Sequence, residues 1–252
     1  MVKTIISANP TFEKPTPETG TFLRVAEFFY DTIQGENFVG YPAAFLRLQG
    51  CTLGCKWCDS KEVWRFGNPY TIDELFELME NTDIISKLEK GQHLVITGGS
   101  PLKQQDAVLE FILAFHKKYY FIPFIEIENE CTLQPSYLLS CYVSRWNNSP
   151  KLEGSGNPEK ARYKPEVIRA LAALPDSWFK FVVAGREDFE EINEKFIKPG
   201  LIDRHQIVLM PLGATREELN KTREAVVELA VEESVRFSDR EHVVIWDKKV
   251  GC

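Results

Sequence analysis

No run in the 252-residue chain approaches the roughly 18–20 consecutive apolar residues of a membrane-spanning helix. The first residues, MVKTIISANPTFEKPTPETGTF, hold one early lysine and no apolar stretch of signal-peptide length. The expected compartment is therefore the cytoplasm, where thiols stay reduced. Excess positive charge is also missing. The net charge is −7 and the pI about 5.3, which argues against a general nucleic-acid partner or an anionic membrane surface. No internal repeat and no internal domain boundary is visible. Cysteine is scarce, six residues in all, yet half of it sits in one decapeptide, CTLGCKWCDS at 51–60. The remainder, 44% hydrophobic and 27% charged, describes an ordinary globular protein long enough for a well-buried core.

Residues 8–20 are rich in Pro, Thr and Glu. They suggest a mobile leader, 1–20, ahead of a single domain, 21–252. Beyond it, short apolar runs alternate with helical patterns. Strands are expected at 43–50, 93–99, 121–129, 141–147, 178–185 and 206–213, with a last one at 242–246 (HVVIW). Helices are expected at 71–90, 102–119, 164–174, 186–198 and 215–233, the first opened by a capping box of Thr71 and Glu74. About six strand–helix units indicate an α/β fold with a mostly parallel sheet, too few for a closed eight-stranded barrel. The natural reading is an open, partial (β/α)6 barrel with function in the loops after the strand C-termini.

The strand at 43–48 runs straight into Cys51-x-x-x-Cys55-x-x-Cys58. Reduced thiols this close suggest metal or redox chemistry before disulfides. A structural zinc site needs a fourth ligand to close its tetrahedron. None is adjacent, since His93 comes 35 residues later. Three thiolates suit a cubane iron–sulfur cluster with one iron left open. On spacing alone, a zinc knuckle completed by a distant Cys131 or Cys141 stays an alternative.

With Trp57 before the last cysteine, and VITGGSP at 95–101, the motif resembles that of the radical S-adenosylmethionine enzymes. The block YDTIQGENFVGYPAAFLRLQGCTLGCKWCDS at 30–60 is similar, more narrowly, to the 7-carboxy-7-deazaguanine synthase family. IENECT at 127–132, NSPK at 148–151 and FKFVV at 179–183 add weaker matches in the same order. The resemblance implies a lyase that converts 6-carboxy-5,6,7,8-tetrahydropterin to 7-carboxy-7-deazaguanine with loss of ammonia, toward queuosine and related deazapurines. It implies that Cys51, Cys55 and Cys58 hold a 4Fe–4S cluster and that S-adenosylmethionine occupies the open iron. Gly98, Gly99, Ser100, Glu128, Ser149 and Lys151 are then expected on the cofactor. Ser60 is expected to offer its hydroxyl to Mg²⁺, with Asp59 as its support or as a helix cap. The substrate is expected on Gln34, Gly35, Glu36 and Arg47. Strand alternation puts Arg47 on the face of Phe45, opposite Ala44, Leu46 and Leu48, where its guanidinium suits a carboxylate. A one-electron donor such as flavodoxin and a homodimer complete the implied partners.

The chain departs from the family pattern in places. Asn37 stands for a glycine, Ser60 for a threonine, Ser100 for a glutamate, and Asn129-Glu130-Cys131 for Thr-Asn-Gly. Cys131 and Cys141 are expected as core thiols, and Cys252 is a candidate to fold back over the site. Two other readings stand beside this one: an activase of glycyl-radical enzymes, and a non-catalytic zinc- or cluster-binding scaffold.

Overall fold

The structure, a computed structural model, describes residues 2–36 and 38–247. Asn37 and Cys252, both singled out above, lie outside the described residues. The strands are β1 (Lys3–Ile6), β2 (Phe22–Ile33), β3 (Pro42–Leu48), β4 (Asn68–Thr71), β5 (His93–Gly98), β6 (Ile125–Asn129), β7 (Arg145–Asn148), β8 (Ser177–Val183), β9 (Ile207–Pro211) and β10 (Arg236–Phe237). They form one sheet in the order β1-β2-β3-β5-β6-β7-β8-β9-β10, with β4 on β2. Every pairing from β3 to β10 is parallel, whereas β1, β2 and β4 pair antiparallel. The fold is thus α/β with a mostly parallel sheet, as expected.

Alternation divides the strands between two environments. Ala44, Leu46 and Leu48 of β3, Ile125 and Ile127 of β6, and Phe179, Phe181 and Val183 of β8 point to the main core, under the helices. The other face carries most of the polar side chains, with Val182, Val208 and Met210 toward β8 and β9 and a small apolar plug of Phe29, Ala43, Phe45 and Val95, where Phe29 and Phe45 stack with ring centroids 5.2 Å apart. The sheet is strongly curled around this inner face. β2 and β8 are five places apart in the order, about 24 Å in a flat sheet. Yet Glu36, three residues past β2, makes an ion pair with Lys180 of β8. The first and last strands in the order do not pair, which leaves an open barrel.

Several expectations change in detail. The capping box at Thr71 and Glu74 is present, but the helical stretch breaks into Ile72–Glu80 and Ile84–Glu89. Within the expected leader, Lys3–Ile6 is a sheet strand. The twelve-residue β2, which the apolar pattern did not reveal, is the hub on which β1, β3 and β4 all pair. The expected last strand at 242–246 is instead a helix, Glu241–Trp246. Its edge position is already taken by β10, and the Glu241 amide donates to the Gly35 carbonyl at 2.9 Å. Tertiary anchoring overrides the β propensity of HVVIW.

Candidate active site

The inner face opens into a cavity at the C-terminal ends of the parallel strands. Its lining holds the three motif thiols, Gln34, Gly35, Glu36, Arg47, Ser60, Gly98, Gly99, Glu128, Ser149 and Lys151. Of the site residues expected from sequence, only Ser100 is not at this surface. It is fully buried and donates its hydroxyl to Glu130 at 2.8 Å.

The cysteine loop, 51–60, contains no helix or strand and is held from both sides. Gly98-Gly99 let the end of β5 pass against it: a Cβ on Gly99 would lie 2.4 Å from the Gly50 carbonyl oxygen and 2.5 Å from Cys51 Cβ. The Ser100 amide then donates to Gly50 O at 2.8 Å. On the other side, the long segment after β7 packs down. Asn157 accepts from the Gly54 amide at 2.9 Å and points its Nδ2 at Cys55 Sγ, 3.2 Å away. The Lys56 amide donates to Ser155 O. Arg162 anchors this segment through Lys151 O and Glu191, at 3.1 and 2.7 Å. Cys131 is fully buried and Cys141 exposed, and neither lines the cavity. Burial, reinforced by the Glu130 carboxylate, pushes the Cys51 thiol up to about 11. A metal bound there displaces that proton.

The three thiols share the cavity, two of them accept amide N–H groups, Cys51 from Leu53 and Cys55 from Asn157, and among the described residues no fourth cysteine lines it. This donor set fits a cluster with one iron open to the cavity. Among the described residues no group of three His, Cys, Asp or Glu side chains is arranged to hold a single metal ion.

Opposite the cysteine loop lies a network of charged groups. Arg47 Nε pairs with Glu27 at 3.1 Å across β2 and β3. Gln34 is fully buried, and its Nε2 donates to both Glu126 and Glu128 at 3.3 Å. Glu126 also takes His93 Nδ1 and Asn147 Nδ2, each at 2.6 Å. Burial raises the Glu128 carboxyl, with Glu126 adding to it, while Thr97, Arg47 and Gln34 oppose. Burial, with Arg240 nearby, brings the Lys180 ammonium down to about 7, and the Glu36 carboxylate against it pulls the other way.

The segment after β10 closes the far wall. Ser238 donates to the Glu36 carbonyl, Arg240 donates to Gly213 O and pairs with Asp59, and His242 lines the cavity. A Cβ on Gly35 would lie 2.7 Å from His242 Nδ1, so this wall also depends on a glycine. Asp59 therefore pairs with Arg240 rather than capping the short helix at Lys61–Trp64. Its side chain looks into the cavity and is 42% accessible. Desolvation would raise it, but the charge and hydrogen bond of Arg240 hold it down at about 2.

Sequence reasoning assigned no role to Lys180, Arg240, His242, Glu27 or Glu130. Lys180 had a signal, a charge between Phe179 and Phe181 in a buried strand, hence on the inner face. The others come together only because the sheet curls.

His242 carries a pH prediction. Burial, then Arg240, lower it from 6.5 to about 4. Between those values the unfolded chain binds the proton and the folded one does not, so stability falls as pH drops through that window. The raised Glu128 has the opposite slope above its ordinary value. The readout is thus the difference between wild type and His242→Gln: the variant is expected to lose less urea-midpoint stability from pH 6.5 to 4.

A family model described as a 4Fe-4S single cluster domain matches residues 34–125. A 7-carboxy-7-deazaguanine synthase of Pyrobaculum aerophilum is 32% identical over 232 residues, 91% of this chain and 97% of that protein. One from Halobacterium salinarum is 31% identical, covering 90% of this chain and 92% of that protein. The crystal structure of QueE from Escherichia coli superposes with a TM-score of 0.63 at 24% identity, over 88% of this chain and 95% of that one.

Proposed function

Because the chain belongs to the 7-carboxy-7-deazaguanine synthase family of radical S-adenosylmethionine lyases, we propose that it contracts 6-carboxy-5,6,7,8-tetrahydropterin to 7-carboxy-7-deazaguanine, releasing ammonia, with Mg²⁺ as a further cofactor. The observation that carries this reading is one cavity lined on one side by three thiols, with no fourth cysteine among the described residues, and on the other by Arg47, Glu36 and Glu128. The bound cluster and S-adenosylmethionine supply the one-electron chemistry that the side chains lack.

In this reading the chain's own residues bind, orient and shield. Cys51, Cys55 and Cys58 hold the cluster. Gly98, Gly99, Ser149, Lys151 and Glu128 border the cofactor, and Ser100 acts from beneath through Glu130. Arg47, its Nε held by Glu27, presents its remaining N–H groups to the substrate carboxylate. Gly35 and Glu36 offer a carbonyl and a carboxylate to the heterocycle's N–H edge. Gln34 works by steadying Glu126 and Glu128, since its amide donates to them. Ser60 offers a hydroxyl for Mg²⁺, which keeps few protein ligands. The proposal further takes the chain as one domain that includes β1, the cytoplasm as compartment, a homodimer as the assembly and flavodoxin or a similar one-electron carrier as reductant. No described helix is long and apolar enough to cross a membrane.

The test is one anaerobic incubation of iron–sulfur-reconstituted, reduced protein with S-adenosylmethionine, Mg²⁺ and the carboxylated tetrahydropterin. Mass spectrometry is expected to find 7-carboxy-7-deazaguanine, in lower yield when Mg²⁺ is chelated. Cofactor cleavage without this product would defeat the substrate assignment.

A further inference from the structure

We propose that Asn157 is a positioning residue for the cluster: its side-chain amide, acting through the Cys55 sulfur, makes the cluster easier to reduce. The assignment rests on the reading above, that Cys51, Cys55 and Cys58 hold a 4Fe–4S cluster.

The three thiols have different donors. Cys51 Sγ accepts the Leu53 amide at 3.4 Å, and Cys58 Sγ stands 3.8 Å from the Ser60 hydroxyl. Both of those groups are local to the motif. Cys55 Sγ instead accepts from Asn157 Nδ2 at 3.2 Å, a side chain 102 positions further along the chain. Chemistry fixes which way that amide points. The Gly54 N–H can only donate, and it donates to Asn157 Oδ1 at 2.9 Å. The NH₂ end must then face the sulfur. Its other hydrogen goes to Ser155 Oγ at 3.1 Å, so the amide has no idle group.

The backbone is built to deliver Asn157 to this spot. The short turn Glu153–Ser155 ends at Gly156, whose φ of 78° is in the left-handed region that favours glycine. Gly156 passes over the cysteine loop, where a Cβ on it would lie 3.5 Å from Lys56 Cδ. Ahead of the turn, Leu152 is buried in the main core and the Glu153 amide donates to Glu191 at 2.8 Å. Beyond it, the buried Arg162 holds the same Glu191 at 2.7 Å. Both ends of the segment are thus tied to one carboxylate, and the N–H group is pre-set against the sulfur.

Such a donor acts unequally on the two oxidation states. Reduction takes one electron from the carrier, which is oxidised, and adds one negative charge to the cluster and its sulfurs. The positive end of an N–H dipole stabilises the more negative state more, which raises the reduction potential. No bond or proton changes at Asn157. It does not line the cavity, so it has this effect without touching cofactor or substrate.

The experiment is a redox titration of anaerobically reconstituted holoprotein, followed by the electron paramagnetic resonance signal of the reduced cluster. Iron content and far-ultraviolet circular dichroism check loading and folding. Asn157→Ala is expected to lower the equilibrium constant for one-electron reduction about three- to tenfold, or about 30–60 mV at 59 mV per tenfold. Asn157→Asp keeps the acceptor for Gly54 but turns a carboxylate toward the sulfur, so its potential is expected to fall further. Ser155→Ala, which leaves the Asn157 contacts to Gly54 and Cys55 in place, is expected to stay within about twofold of wild type. Wild-type potentials in both Asn157→Ala and Asn157→Asp overturn the assignment and leave Asn157 a cap for the Gly54 amide. If neither variant retains a cluster, the wild type decides, grown with asparagine carrying ¹⁵N only in its side-chain amide. Its reduced cluster is expected to show ¹⁵N modulation of the electron spin echo, and absence of that modulation overturns the assignment. A wild type that takes up no iron overturns it together with the reading beneath it.

Discussion

Alanine at Cys55 is expected to abolish product formation while leaving the fold standing. Cys55 is the most enclosed of the three thiols, 8% exposed, and its sulfur accepts from Asn157. Loss of an outer-shell partner typically costs a metal site 10–100-fold, and loss of a ligand more than that. With two thiolates left, the cubane has two open corners facing the cavity, and it loses iron to solvent. Charge-transfer absorption, iron content and cofactor cleavage should all fall to background. The fold should not follow them, because the loop carries no strand or helix and Cys55 is outside the main core cluster. A change in denaturation midpoint worth under about 1 kcal/mol is expected. Two controls sharpen the result. Cys141→Ala, exposed and remote from the cavity, should leave cluster and activity unchanged. Cys131→Ala, fully buried in the core, should lower stability without removing the cluster. A Cys55→Ala protein that still carries a 4Fe–4S cluster and cleaves the cofactor would remove the thiol from the site.

How much of this was legible in the sequence depended on how local each feature is. The three cysteines are eight residues end to end, so their place on one cavity wall is a property of one loop. Arg47 could be aimed by period-two alternation because β3 is regular and its outer face, Ala44, Leu46 and Leu48, is uniformly apolar. β2 hid itself for the opposite reason. Its pairing shifts register between Val25 and Glu27 and again between Phe29 and Thr32, and Asp31 sits at φ 62°. Bulges of this kind break alternation and leave Ala26 to Tyr30 buried in succession, Glu27 included. The charged wall of Asp59, Lys180, Arg240 and His242 spans more than 180 residues of chain and is assembled by sheet curl. No short window contains it. Glu130 lies close to Glu128 in sequence, but the hydroxyls gathered at its carboxylate come from Thr52, Ser100 and Thr132, on three separate turns.

Replacing Arg47 by alanine is expected to cost activity and stability through two separable routes. The side chain is 18% accessible, and its Nε is tied to Glu27, itself 9% accessible. That tie aims the rest of the guanidinium at the cavity. Truncating one partner of a desolvated charge pair costs about 2–5 kcal/mol, so kcat/KM for the carboxylated pterin should fall at least roughly 30-fold. Cleavage of S-adenosylmethionine without substrate should be spared, since the cysteine loop does not rest on Arg47. Arg47→Lys keeps a charge but not the fork, which cannot serve Glu27 and a carboxylate together, so it should recover only part of the loss. The stability route runs through Glu27, which alanine leaves as a buried, unpaired carboxylate, a cost of about 3 kcal/mol. Adding Glu27→Gln to Arg47→Ala removes that stranded charge. The double variant should regain most of the lost midpoint and none of the lost kcat/KM. If it regains both, Arg47 is a structural partner of Glu27 and nothing more. If Arg47→Ala leaves kcat/KM within a few-fold of wild type, the substrate carboxylate is held elsewhere in the cavity, with Lys180 and Arg240 the next cations to test.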